Sequence, residues 1–404
     1  MKALLSAYAC EPGKGSEPEV GWRVALEMAN HCDVTVITRR NNREPIENEL
    51  RDHNGAKPTF LYYDLPKLFL WLKRHCIGAS GYYILWQIAV RIKFSNNTKQ
   101  HDLVHHVTFN GIQLPGFWFG VSRPVVLGSL GGGMTCPTAF LPLFGKFAKF
   151  ERFRTGLIAS LRYMPWWRAS IRGASVVLAA NQETADVVQR ERSEPVPVLL
   201  ETAISKNTVL ANASEKLPKQ TFRILWLGSL IPRKAANLAL LSFAEACFEV
   251  SNIDLIIAGG GSQEASLRDL ACKLGVAERV HFLGKVPKDR VNSLMDECDA
   301  FFFTSLRDTS GNVVLEAMSR ALPVIVLWHQ GMKHICNQET AMCVSPTTID
   351  ETVKGLAEAL MALSGDRELA TKLGEAGLKR VVEHFSWSNY SMKMMEFYRM
   401  ALEK

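Results

Sequence analysis

No Cys-x-x-Cys pair occurs among the nine cysteines of this 404-residue chain, which stand at 10, 32, 76, 136, 247, 272, 298, 336 and 343. That scatter argues against a disulfide framework and a thiolate metal site, and it is the usage expected in a reducing compartment. No apolar stretch reaches the roughly 20 residues of a spanning helix: the most suggestive uncharged run, His75 to Val90, is broken by Gly78, Ser80, Gly81 and Gln87. Ala3 to Cys10, after Met1-Lys2, is too short an apolar segment before Glu11-Pro12 for a signal peptide, and reads as a buried first strand. The first glycine-rich loop is neither GxGxxG nor a P-loop, which disfavours a nicotinamide dehydrogenase. Short repeats and low-complexity tracts are absent as well.

What is present is an ordinary globular composition, 47% hydrophobic with 47 basic and 40 acidic residues and a formal net charge of +7. The length favours two domains, since single cores stop growing at about 250–300 residues. The charge is uneven. Residues 61–172 hold 14 basic side chains against only Asp64, Asp102 and Glu151, and carry many of the aromatics, from Phe69 and Trp71 to Phe147, Phe150, Phe153 and Trp167. Such a mixture suits a bilayer interface, a base-stacking surface, or simply helices packed on their own sheet with solvated cations. No nucleic-acid motif supports the second.

Short β-branched runs alternate with helical stretches throughout. Strands are expected at Lys2–Ala7, Val34–Thr38, Thr59–Tyr62, Leu103–His106, Val125–Leu127 and Val176–Ala179, and again at Arg223–Leu227, Asp254–Ala258, Val280–Phe282, Ala300–Phe303, Val324–Leu327 and Met342–Val344. Strands separated by helices imply parallel sheets covered on both faces. The expected fold is therefore α/β, with two Rossmann-like doubly wound domains: 1–206, an aperiodic linker at 207–220, 221–384, and a closing helix at 385–404. Ligands bind beyond the carboxyl ends of such strands, so the strand-to-helix loops are where chemistry is expected.

Four loops stand out. Gly13-Lys14-Gly15-Ser16 follows the first strand, its glycines permitting close approach and Ser16 a cap. Gly228-Ser229-Leu230-Ile231-Pro232-Arg233-Lys234 places two cations before a helix, where they oppose the helix dipole unless an anion binds. Ala258-Gly259-Gly260-Gly261-Ser262 is a third. In the fourth, Asp308 precedes the helix Gly311-Asn312-Val313-Val314-Leu315-Glu316-Ala317-Met318, where Glu316 sits among apolar residues and needs a partner such as a ribose hydroxyl. His105 and His106 close a strand and must point to opposite faces. Each reads either as a hydrogen-bonded core histidine or as a site residue, and no further residue at metal spacing makes them a zinc site.

Together these loops resemble the retaining glycosyltransferases of family 4, with their two-Rossmann-domain GT-B fold. The most specific piece is Thr304-Ser305-Leu306-Arg307-Asp308-Thr309-Ser310-Gly311-Asn312-Val313-Val314-Leu315-Glu316, similar to the family's paired acidic motif with seven residues between the acids. Supporting pieces are Pro232-Arg233-Lys234, Val280-His281-Phe282-Leu283-Gly284, Gly15-Ser16-Glu17-Pro18 and Phe385-Ser386-Trp387, which opens a helix that in the family returns to the first domain. The resemblance implies a cleft between the domains and a nucleotide-diphosphate sugar as donor substrate, with no cofactor and no metal. Glu316 would bind the ribose, Asp308 would face the sugar, and Arg233 and Lys234 would neutralise the diphosphate. Gly228, Ser229, Gly260, Ser310, Gly311 and Asn312 would line the nucleotide. The turn at Val286 would hold the base, while Gly15 and Ser16 would approach from the first domain and His106 would contact the sugar.

Four positions depart from the family's pattern: Asp308 stands for a usual Glu, Ser229 for a frequent Arg, Glu19 for a Gly, and Ser129 interrupts a Gly-Pro-x-Gly-Gly run. The expectation is a metal-independent, anomer-retaining hexosyltransferase acting by front-face displacement on a glycan or lipid-linked acceptor, in cell-surface polysaccharide or lipopolysaccharide biosynthesis. It would be cytoplasmic, with peripheral contact through 61–172 at the inner face of the plasma membrane, and would bind no nucleic acid. The alternatives are a sugar-nucleotide 2-epimerase on the same fold and a two-lobed small-molecule binding protein.

Overall fold

In the computed structural model, residues 1–205 and 221–404 are described; the linker expected at 207–220 lies outside them. The chain divides into two compact units. Unit 1 is Met1–Gly133, Leu157–Thr202 and Trp387–Lys404, and unit 2 is Met134–Gly156 and Ala203–Ser386.

Unit 1 holds a six-stranded sheet of β1 (Lys2–Ser6), β2 (Asp33–Thr38), β3 (Thr59–Tyr62), β4 (Leu103–His106), β5 (Val125–Leu130) and β6 (Val176–Ala179) in the order β3-β2-β1-β4-β5-β6, every pair parallel. Each side chain of β4, β5 and β6 is buried, as it must be when helices cover both faces. The closing helix, Trp387–Leu402, packs in this unit, as expected. Its Tyr398 is fully buried, with its hydroxyl 2.7 Å from His105 Nδ1. His105 Nε2 lies 2.9 Å from the Gly128 carbonyl, which can only accept. The ring proton therefore sits on Nε2, and Nδ1 accepts from Tyr398.

Unit 2 repeats the plan with β7 (Phe222–Leu227), β8 (Ile253–Ala258), β9 (Val280–Gly284), β10 (Ala300–Phe303), β11 (Val324–Leu327) and β12 (Met342–Val344), all parallel in the order β12-β11-β10-β7-β8-β9. All twelve expected strands are present, six with the expected bounds and the other six with ends within three residues of them. Among the described residues no helix is long and apolar enough to cross a membrane.

One segment departs from the expected division. Met134–Gly156, read from the sequence as part of an unbroken first domain, belongs to unit 2. Cys136, Phe140 and Phe144 are buried there in one cluster with Trp226, Leu230 and Phe243. Burying each of the two phenylalanines is worth about 1.5–3 kcal/mol, more than chain continuity can oppose. Asn237 Nδ2 also donates to the Leu143 carbonyl at 3.1 Å. Four of the 14 basic residues of 61–172, Lys146, Lys149, Arg152 and Arg154, thus lie on this arm of unit 2.

Candidate functional site

In unit 2 the strand order reverses between β10 and β7, so the loops leaving their carboxyl ends are neighbours although some 70 residues separate them. Thr304 ties them together: its hydroxyl accepts from Trp226 Nε1 at 3.0 Å and donates to the Ala235 carbonyl at 2.9 Å. The Leu306 N–H donates to the Arg233 carbonyl at 2.9 Å, and Arg233 Nη1 to the Arg307 carbonyl at 3.1 Å.

This brings three predicted residues into direct contact. Lys234 Nζ forms an ion pair with Asp308 Oδ2, and Arg233 Nη1 lies 3.9 Å from the same oxygen. The β8 loop closes over them backbone to backbone. Gly228 N–H bonds to Ala258 O at 3.0 Å and Leu230 N–H to Gly260 O at 3.1 Å, and a Cβ on Gly259 would collide with the Gly228 carbonyl. Val286 follows β9 along the same edge, next to Lys285, whose stem lies against Gly260. Ser229 lies in the same loop as Arg233 and Lys234 and supplies no charge.

After Asp308 the chain turns through Gly311, which takes φ +54° against Met332, and enters the helix Asn312–Met318. The Ser310 hydroxyl donates to Asn312 Oδ1 at 2.7 Å. Burial raises the Glu316 pKa, while Lys288 and Arg320 pull it back down.

Several charged and polar groups here carry no signal in the sequence. Glu151, on the arm and 2% exposed, places Oε1 3.0 Å from Arg307 Nε and 3.6 Å from Arg154 Nε. Burial lowers the Arg307 pKa to about 10; repulsion from Arg154 and Arg233 adds to the fall and Glu151 opposes it. Four cations (Arg154, Arg233, Lys234, Arg307) therefore share two carboxylates (Glu151, Asp308), a surplus of two positive charges. His329 Nε2 approaches the Ser305 carbonyl at 3.0 Å, with its pKa lowered mainly by burial. Gln330 Oε1 accepts from the Asp308 N–H at 3.1 Å. Only the contacts of a folded chain could reveal these partners.

Gly15, Ser16 and His106 lie in unit 1, at its own switch point between β1 and β4. Gly15 takes φ +71° just before the helix Ser16–Ala29. Ser16 does not cap that helix: it is already the first helical residue, and no side-chain cap bond forms. Glu19 accepts from the Gly13 N–H at 2.7 Å and pairs with Arg23 at 2.8 Å, so the acid stabilises its own turn. Glu17 accepts from the Phe109 N–H, with burial raising its pKa. His106 is fully buried rather than facing an open surface. Its Nε2 lies 2.9 Å from the Tyr83 hydroxyl, and burial lowers its pKa to about 3, so the ring is neutral. The same edge carries a basic and aromatic basin. Arg39 lies 5.0 Å above the Tyr8 ring and 5.6 Å above Tyr82, and pairs with Asp64 at 3.2 Å. Lys73 lies 5.1 Å above Tyr82, its pKa lowered first by burial and then by Arg39.

Residues 210–380 match a family model described as glycosyl transferases group 1. An uncharacterised glycosyltransferase of Methanocaldococcus jannaschii, MJ1607, is 30% identical over 181 residues, 45% of each chain. A GDP-mannose-dependent α-(1-6)-phosphatidylinositol monomannoside mannosyltransferase of Mycobacterium tuberculosis is 28% identical over 184 residues, 44% of this chain and 47% of that one. The chain spans about half the length of the curated relatives it matches. Among solved structures, Anabaena Alr3699/HepE in complex with UDP shares the fold over 99% of this chain and 100% of that one, with TM-score 0.61 and 16% identity.

Proposed function

We propose that this chain, whose residues 210–380 match the glycosyl transferases group 1 model, is a retaining, metal-independent hexosyltransferase. It takes a nucleotide-diphosphate sugar and passes the sugar to a glycan or lipid-linked acceptor of cell-surface polysaccharide or lipopolysaccharide. The observation that carries the reading is the surplus of two positive charges beside Asp308 in unit 2. A departing nucleoside diphosphate is the anion that such a surplus suits.

In the reaction the bond from the anomeric carbon to the β-phosphate oxygen breaks and its electron pair goes to the diphosphate. The acceptor hydroxyl oxygen bonds to that carbon on the same face, and its proton passes to the departing diphosphate. Preorganised cations act on the charge that develops, and deleting one such group typically costs about 10²–10³ in rate. Arg233 and Lys234 carry this role, with Arg307 behind them. Lys234 reaches the diphosphate by leaving Asp308, which frees the carboxylate for sugar hydroxyls. Glu316 accepts from the ribose. Positive charge already in place supports a reaction without a divalent ion, and retained turnover in excess chelator is the corresponding test.

An anionic, membrane-apposed acceptor is supported by two features. In unit 1 the Arg39–Lys73 basin offers cations on aromatic rings at the ligand edge of the sheet, near the exposed Leu68 and Trp71. On the arm of unit 2, Phe147, Phe150 and Phe153 are exposed among exposed Lys146, Lys149 and Arg152. Apolar rings between cations fit an anionic lipid interface.

Radiolabelled nucleotide sugars test the reading. Slow release of sugar from UDP- or GDP-sugars is expected, and Lys234→Ala and Glu316→Ala should each lower it at least about 100-fold with the fold intact. Epimerised nucleotide would favour the epimerase, binding without turnover a binding protein, and wild-type rates in both variants would refute the site.

A further inference from the structure

Gln330 sits between β11 and the short helix Gly331–Ile335 with φ +51° and ψ −135°, a backbone conformation that favours glycine. It is only 6% exposed. On its carboxyl side Gly331 packs closely against the acidic loop, where a Cβ would collide with the Thr309 carbonyl. A glutamine is therefore held where a glycine would rest without strain, and its side chain has to account for that.

That side chain bonds three backbone groups on two stretches of chain. Oε1 accepts from the Asp308 N–H at 3.1 Å. Nε2 donates to the Leu306 carbonyl at 3.3 Å and to the Thr135 carbonyl, on the arm, at 2.9 Å. The amide thus grips the acidic loop on both sides of Arg307 and ties it to the arm that carries Glu151, the carboxylate facing Arg307. Lys234 draws the Asp308 side chain from one side while Gln330 fixes its backbone from the other.

We propose that Gln330 is a positioning residue of the donor site: its amide, kept at the expense of a strained backbone, sets where Asp308 and Arg307 stand relative to the sugar and the leaving diphosphate. This rests on the donor-site reading above. Gln330 touches no reacting atom itself, so its loss acts on turnover more than on nucleotide affinity.

Two substitutions separate this role from a merely structural one. Gln330→Gly removes the amide and relieves the backbone; Gln330→Met keeps the volume and the strain but removes the amide. The thermal midpoint should therefore stay level or rise in the first and fall in the second. In both, kcat for sugar release from UDP-glucose or GDP-mannose, whichever wild type turns over faster, should drop at least tenfold, while the affinity for UDP or GDP stays within about threefold. The proposal is overturned if Gln330→Gly turns over within twofold of wild type, or if the loss of kcat follows stability, with Met impaired and Gly not. Absence of nucleotide binding and turnover in the wild type would instead overturn the donor-site reading, and this proposal with it.

Discussion

Replacing Glu151 by glutamine keeps the shape of the arm and removes one charge from its buried face. Arg154 and Arg307, with side chains 12% and 21% exposed, then face each other and Arg233 without the carboxylate between them. Removing one partner of a buried ion pair costs about 3–5 kcal/mol, because the other charge stays desolvated. Both guanidiniums keep a solvent edge and Arg154 also donates to the Met134 carbonyl, so a discounted loss of about 2–3 kcal/mol is expected. At about 2–4 °C per kcal/mol for a domain of this size, the midpoint of unit 2 should fall by about 4–12 °C. Thermal unfolding with hydrogen exchange on peptides covering 134–156 and 304–310 would read the loss and its place. The drop should persist in high salt, since buried charges are poorly screened. Replacing Glu151, Arg154 and Arg307 together by methionine should recover much of it, because apolar isosteres restore packing without an orphaned charge. A Glu151→Gln midpoint within 1 °C of wild type, with unchanged exchange on the arm, would refute the assignment of Glu151 as the charge that holds the arm to the acidic loop.

Neutralising Lys146, Lys149 and Arg152 should abolish retention on vesicles of anionic lipid and leave UDP-sugar hydrolysis in solution unchanged; wild-type protein that never sediments with such vesicles would rule out the membrane contact. Arg154 does not belong in that set, because it faces Glu151 rather than solvent, and its replacement should lower stability instead. His105, neutral in the fold with its pKa lowered to about 4 by burial, sets a pH dependence. Between the unfolded value of about 6.5 and the folded one, the unfolded chain binds a proton that the native state does not. Stability should therefore fall as pH drops through that window, by roughly 3 kcal/mol once pH 4 is reached. Urea unfolding from pH 7 to 4 should show a shallower slope in His105→Gln; an identical slope would mean that other groups carry the acid loss.

Much of the candidate site is legible in the sequence because its parts are local. Gly13, Gly15, Gly259 and Gly311 mark tight loops, and the spacing of Asp308 and Glu316 on one loop and helix is a property of consecutive residues. The contact of Arg233 and Lys234 with Asp308 follows once β7 and β10 are known to be neighbours, which the doubly wound order implies. His106 shows the limit. Strand alternation gives it a face but not a depth, and Tyr83 in a distant helix encloses it. Gln330 shows another: nothing beside it in the chain marks its positive φ or the three backbone groups its amide reaches.

The sequence by itself determined the two parallel sheets, the loops at the carboxyl ends of their strands and the sign of the charge around the candidate site, since periodicity, turn residues and short-range spacing are written along the chain. Only the tertiary structure decided which unit claims Met134–Gly156, which carboxylate faces Arg307, and which of the arm's four cations face solvent. Those outcomes depend on burial and on pairing between residues far apart in the chain. A buried charge takes whichever partner the packed core brings within about 4 Å, and the order of residues alone does not specify that meeting.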